Sequence, residues 1–146
     1  MTGQPSVLVL TPTCNAEAFL RRTLDSLAAQ TYPYKRVLLV DSSSTDAAAD
    51  IAEGYLHRDP RFSLVRRTDN LGWICNTNAM LEDGRGQADY MLSAFHDDVL
   101  FPDYMARPAA RPGARPDAVL ALSDAELMFE DQRPQTAAFT RPERIT

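Results

Sequence analysis

The sequence predicts an α/β protein: an open, mostly parallel sheet with helices on both faces. Three observations point there. Val7-Leu8-Val9-Leu10 and Val37-Leu38-Leu39-Val40 are short, continuous apolar runs, as expected of strands covered on both faces. Segments with three- and four-residue apolar spacing separate these runs, and strand–helix alternation is the pattern of a parallel sheet. Polar loops follow the strands on their C-terminal side, the edge where such sheets bind ligands.

The elements follow in order. Thr11-Pro12-Thr13 stops the first strand, and Asn15 is the expected N-cap of a helix over residues 16–30. Phe19, Leu20, Thr23, Leu24 and Leu27 share the side of that helix expected to face the core, and Tyr32-Pro33 ends it. The second strand delivers Asp41. Ser42-Ser43-Ser44-Thr45-Asp46 then forms a turn in which Ser44 or Thr45 caps the next helix, whose apolar face is Ile51, Ala52, Tyr55 and Leu56. Residues 62–66 alternate polar and apolar and read as a third strand nearer an edge. Asn70-Leu71-Gly72 leads into a helix through Leu81, Gly84-Arg85-Gly86 breaks it, and residues 90–95 form a fourth strand ending at His96-Asp97-Asp98. Past Asp103, the Arg-Pro steps at 107–108, 111–112 and 115–116 disfavour helix and suggest a connector. Residues 117–122 resume as a strand. The division expected is one domain over 1–131 and an irregular tail over 132–146.

Bulk properties bound the function. A chain of 146 residues fits one core. It has no apolar run near the ~20 residues of a membrane span and no signal-peptide pattern in residues 1–6, so a cytoplasmic location is expected. Cys14 and Cys75 lack metal-type spacing and read as reduced thiols. The net charge of −5 argues against nucleic acid as a partner. It also means that a phosphate-bearing ligand would call for a divalent cation between protein carboxylates and phosphate oxygens.

The sharpest chemical feature is the Asp97-Asp98 pair at a strand end. One carboxylate can hold a divalent ion while the other takes a ribose hydroxyl or a metal-bound water; the competing reading is that both cap a turn. Asp41 is similarly divided between accepting from a base or ribose and closing an Asx-turn, with the serines from Ser42 onward as donors. Asn70-Leu71-Gly72 and the helix behind it offer backbone N–H groups suited to phosphate. Arg66 and Arg67 could add charge there, though solvation is their usual fate. Trp73 could cover the site, although packing of helix against sheet is the expected role of a single tryptophan. His57 reads as a surface residue, and His96 beside two aspartates falls short of a zinc site. Cys14 is a conceivable nucleophile without an assignable histidine partner. Neither a GxGxxG nor a GxxxxGK[ST] loop is present, which counts against dinucleotide oxidoreductases and P-loop NTPases.

Taken together, these blocks resemble family 2 glycosyltransferases. Val7-Leu-Val-Leu-Thr-Pro-Thr-Cys-Asn-Ala-Glu-Ala-Phe-Leu20 is similar to the family's opening. The stretches Ser26-Leu-Ala-Ala-Gln-Thr-Tyr-Pro33, Val40-Asp-Ser-Ser-Ser-Thr-Asp46, Asp69-Asn-Leu-Gly72 and Phe95-His-Asp-Asp-Val-Leu-Phe-Pro-Asp-Tyr104 are similar to later blocks. The resemblance implies a Rossmann-like GT-A nucleotide-diphospho-sugar transferase fold using Mg²⁺ or Mn²⁺. It places Pro12, Thr13, Cys14 and Asp41 at the nucleoside, Asp97 by the ribose and sugar phosphate, and Asp98 on the metal. Ser42 stands where the family often has a second acid, and Thr77 where an arginine is common.

The resemblance also implies that the chain stops where an acceptor half should begin, so the fold is expected to be truncated and no catalytic base is assigned. The expected partners are a nucleotide-diphospho-sugar donor and a glycan, lipid or small-molecule acceptor. Exposed sheet surface would make a homo-oligomer a hypothesis. The alternative function is a non-catalytic nucleotide-sugar-binding or interaction module.

Overall fold

The computed structural model describes residues 4–106 and the two short strands Ala125–Met128 and Pro134–Ala137. The apolar runs become β1 (Val7–Thr13) and β2 (Lys35–Ser42), joined through α1 (Glu17–Ala28). Next come α2 (Ala48–Leu56), β3 (Phe62–Arg67), α3 (Trp73–Gly84) and β4 (Tyr90–Ser93). These four strands form an all-parallel sheet in the order β3-β2-β1-β4, with β3 at the expected edge. The chain winds outward from β1 to β3, then crosses back through α3 to the other side of β1. The point where winding reverses lies between β1 and β4, and a crevice opens there at the strands' C-terminal ends.

Strand alternation sorts the core into two layers. Val7, Val9, Val37 and Leu39 pack with Leu20, Leu24 and Leu27 of α1 and with Ala52 and Tyr55 of α2. Their neighbours Leu8, Leu10, Leu38 and Val40 point to the opposite face and pack with Met80 of α3. Both faces of β1 and β2 are therefore covered, which is why their sequences are apolar without interruption. Each fully buried leucine contributes about 1.5–3 kcal/mol relative to exposure. At the end of α3, a Cβ on Gly84 would lie 3.2 Å from both Leu10 δ-carbons, so glycine lets the helix settle on β1.

Four expectations are corrected. Asn15 does not cap α1: Ala16 holds the N-cap position without a side-chain bond, and Asn15 has φ +50°. Its amide oxygen instead accepts from Thr45 N at 2.8 Å, and its own N–H donates to Ser44 Oγ at 2.9 Å. Neither Ser44 nor Thr45 caps α2, which begins after Ala47. Helix starts are instead closed by an exchange between two loops. Asp46 accepts from Glu17 N and Ala48 N, and Glu17 accepts from Ala47 N, all at 2.9–3.0 Å. Phe19 is 59% exposed, because it lies about a quarter turn from the centre of the stripe formed by Leu20, Leu24 and Leu27. Within 132–146, expected to be irregular throughout, Pro134–Ala137 is a strand paired antiparallel with Ala125–Met128.

The chain divides into two compact units, Met1–Arg111 and Pro112–Thr146. The expected Arg-Pro connector and the strand over 117–122 lie outside the described residues. Among the described residues, no helix is long and apolar enough to cross a membrane.

Candidate functional site

A cleft of about 530 Å³ occupies the crevice between β1 and β4. Its first wall is the end of β1 and the loop after it, Pro12, Thr13 and Cys14, with Ser42 from β2. Its second wall is the segment after β4, from Phe95 to Asp98, and its third is the start of α3, from Asn70 to Thr77. Of the residues expected to bind donor or metal, Pro12, Thr13, Cys14, Ser42, Gly72, Asp97 and Asp98 line this cleft, and Asp41 does not.

Asp41 sits just behind the wall. It is 1% exposed, and its carboxylate accepts from Thr13 Oγ1 at 3.3 Å, from Ser44 N at 3.2 Å and from Ser44 Oγ. The Asx-turn reading describes this geometry. Asp41 thus fixes the loop geometry around Thr13 and Ser42, which do line the cleft.

The carboxylate pair divides in two. Asp98 closes its own turn: Oδ2 accepts from Phe95 N at 2.8 Å, and Asp98 N donates to Phe95 O at 3.0 Å. Asp97 is exposed, and its carboxylate has no hydrogen-bond or ion-pair partner among the described residues. His96 is tethered from both sides, with Nδ1 3.4 Å from Pro12 O and its carbonyl accepting from Thr23 Oγ1 at 2.6 Å. The turn-cap reading thus describes Asp98 alone, through one carboxylate oxygen, while both Asp97 and Asp98 line the cleft.

Asn70 and Asn76 were not recognised as a pair in the sequence. Asn70 Oδ1 accepts from Gly72 N at 3.0 Å and from Asn76 Nδ2 at 2.8 Å. Asn76 Oδ1 accepts from Leu71 N at 3.2 Å, and Asn70 Nδ2 donates to Cys14 Sγ at 3.2 Å. These bonds lock the loop that starts α3 and tie it to the end of β1. No periodic signal marks two asparagines six residues apart as partners; only the fold brings them together. Gly72, the N-cap of α3, has φ 83° and ψ 163° and no side chain to bond the helix's first amides. Those amides lack intrahelical acceptors and sit at the positive end of the helix dipole. Thr77 Oγ1 is buried without a partner on the same wall.

Trp73 does not pack helix against sheet as expected. It is 70% exposed on the cleft wall, with its ring centroid 6.5 Å from that of Phe95. Arg66 and Arg67 are not among the residues lining the cleft; they pair with Glu53 at 3.6 Å and Asp83 at 2.5 Å. His57 is exposed at the end of α2, as expected.

Among the described residues, no three His, Cys, Asp or Glu side chains converge into a closed metal cage. The donor set of Asp97 and Asp98 fits a different kind of site. A hard divalent ion such as Mg²⁺ or Mn²⁺ is commonly held by one or two carboxylates, with phosphate oxygens and water completing its shell.

Comparison with known proteins decides the family. The family model for glycosyl transferase family 2 matches residues 8–143. The chain belongs to that family. A Bacillus subtilis (strain 168) protein designated glycosyltransferase EpsH is 33% identical over 127 residues, which are 87% of this chain and 36% of EpsH. Glycosyltransferase GlyA of Streptococcus pneumoniae is 30% identical over 105 residues, 72% of this chain and 15% of GlyA. Among solved structures, Staphylococcus aureus TarS in complex with UDP aligns with a TM-score of 0.65 and 28% identity over 72% of this chain and 31% of TarS. The mannosyltransferase PcManGT of Pyrobaculum calidifontis, in complex with GDP-Man and Mn²⁺, aligns at 0.63 and 26% over 75% of this chain and 32% of its own. The fold is that of the GT-A glycosyltransferases. This family 2 chain spans about a third of the length of EpsH, TarS and PcManGT.

Proposed function

We propose that this chain is the donor-binding portion of a glycosyltransferase and takes a nucleotide-diphospho-sugar into the cleft between β1 and β4. The observation that carries the reading is the pairing of two exposed carboxylates, Asp97 and Asp98, with an α3 N-terminus left uncapped by any side chain. Carboxylates alone would repel a diphosphate, whereas helix amides attract it. A divalent cation reconciles the two walls, and Asp98, with Asp97 beside it, would hold it. Bound there, the ion would neutralise charge on the phosphates and on the nucleotide as it leaves the sugar. The relatives solved with UDP and with GDP-Man and Mn²⁺ support this ligand class.

The remaining residues take separable roles. Pro12, Thr13, Cys14 and Ser42 form the wall assigned to the nucleoside, held in shape by Asp41. Asp97 faces the ribose and sugar phosphate, and Gly72 allows the α3 amides to reach the diphosphate. Transfer to an acceptor needs a base within hydrogen-bond reach of the acceptor hydroxyl. Asp97 and Asp98 are the only carboxylates on the described cleft wall, and both are assigned to the donor. The acceptor, a glycan, lipid or small molecule, would therefore be activated by residues outside this cleft.

Calorimetric titration with UDP, GDP and dTDP, each with and without Mn²⁺, tests the proposal. Metal-dependent binding to at least one nucleotide, weakened at least about tenfold by Asp98→Ala, is expected. A folded protein that binds none of them would sink it. A protein that binds the donor but transfers no sugar when joined to the rest of its family's length would be the non-catalytic binding module instead.

A further inference from the structure

Helix α1 and the turn that follows it carry two stripes. Leu20, Leu24 and Leu27 face the sheet, while Thr23, Ser26 and Gln30, spaced three and four apart, face the segment that follows β4. That segment runs alongside the helix and is bonded to it at successive levels. Thr23 Oγ1 donates to His96 O at 2.6 Å, and Leu100 N donates to Ser26 Oγ at 3.2 Å. Gln30 Nε2 donates to Phe101 O at 2.6 Å, and its Oε1 accepts from Met105 N at 3.1 Å. Thr31 N closes the series on Pro102 O at 2.8 Å. Residues 96–105 are strapped to the second half of α1 and to the turn after it.

The top rung matters most, because it falls on the residue before Asp97. The Asp97 carboxylate has no partner of its own, so its position is set by the backbone that carries it. That backbone is held by the turn between Phe95 and Asp98, by His96 against Pro12 O, and by Thr23. Thr23 is fully buried beside three leucines, where an aliphatic side chain would pack as well and would bring no polar atom to satisfy. Its hydroxyl has one acceptor, the His96 carbonyl.

We infer that Thr23 is a positioning residue for the Asp97-Asp98 pair, acting through the His96 carbonyl to set where the carboxylates meet a divalent cation and its diphosphate. This inference rests on the donor-binding reading above. Groups that orient ligating side chains typically change metal affinity by about 10–100-fold when removed.

The test is Mn²⁺-dependent nucleoside-diphosphate binding by calorimetry, together with thermal melting, for Thr23→Val, Thr23→Ser and Ser26→Ala. Thr23→Val is expected to weaken metal-dependent binding about tenfold while metal-independent binding stays unchanged. Thr23→Ser keeps the donor and is expected to restore wild-type affinity. Ser26→Ala loosens the strap below the carboxylates, and it should lower the melting temperature yet keep wild-type affinity. Wild-type metal dependence in Thr23→Val would overturn the inference and leave a purely structural rung. So would weak binding by Thr23→Ser, which also decides the matter if the valine variant does not fold. A wild-type chain that binds no nucleotide would remove the donor-binding reading itself, an outcome distinct from either.

Discussion

Replacing Gly72 with alanine isolates the backbone at the mouth of the cleft. Gly72 has φ 83° and ψ 163°, a region that residues with a Cβ essentially do not occupy. A Cβ built there meets nothing within 4 Å, so the cost is backbone strain and not collision. Such strain costs about 1–3 kcal/mol, offset by about 0.4–1 kcal/mol from the lower entropy of the unfolded alanine chain. A net loss of about 1–2 kcal/mol corresponds to a melting temperature about 4–8 °C lower for a domain of this size. Gly54, inside α2, is the matched control: its added Cβ also meets nothing within 4 Å, but its conformation is helical. Gly54→Ala is expected to gain about 0.5–1 kcal/mol. Thermal and urea melts followed by circular dichroism should therefore move in opposite directions for the two variants. Gly72→Ala melting at or above wild type would refute the reasoning and show that the α3 entry relaxes freely.

Three further outcomes follow from named contacts. Asp41→Ala strips the acceptor from Thr13 Oγ1 and from both donors of Ser44, so urea unfolding should show a loss of about 2–3 kcal/mol; no loss would mean the loop finds other acceptors. Burial, then the bond to Asp25 Oδ1 at 2.5 Å, raises the Tyr55 hydroxyl from 10 to about 12. The folded state thus holds this proton more tightly than the unfolded chain. Its contribution is complete below pH 10 and is lost as pH rises through about 12, a slope that Tyr55→Phe should lack in alkaline denaturation. Trp73 is the only tryptophan and is exposed on the cleft wall, so its emission should shift when nucleotide fills the cleft. Saturating binding seen by calorimetry with unchanged emission would place the ligand away from α3.

The parts of the fold that could be read in the sequence are those where one physical demand dominates. Val7 to Leu10 and Val37 to Val40 are apolar at every position because both faces of their strands are covered. The cleft was legible for a similar reason: parallel strands send their C-terminal loops to one edge, so Thr13, Ser42, Asp97 and Asp98 had to gather there. Asn15, Asn70 and Trp73 are harder to read because local patterns admit more than one partner. An asparagine before a helix satisfies a cap in most chains, and here the amide of Thr45, thirty residues on, takes its oxygen instead. Thr23 has the spacing of a core residue, yet its hydroxyl serves a carbonyl 73 residues away.

The exchange between Glu17 and Asp46 has a consequence for variation. Asp46 closes the start of α1 and shares the start of α2 with Glu17, so the two helix termini depend on one pair of side chains. A change at Asp46 leaves donors bare on both helices, Glu17 N and Ala48 N, whereas a change at Glu17 leaves only Ala47 N bare. Substitution at 46 should therefore be selected against more strongly than substitution at 17. The α3 side of the cleft, from Asn70 to Thr77, shares no bond with this clasp. A library aimed at new ligands can vary that side, with Asn70, Gly72 and Asn76 kept, while treating the two loops opposite as a single inherited unit.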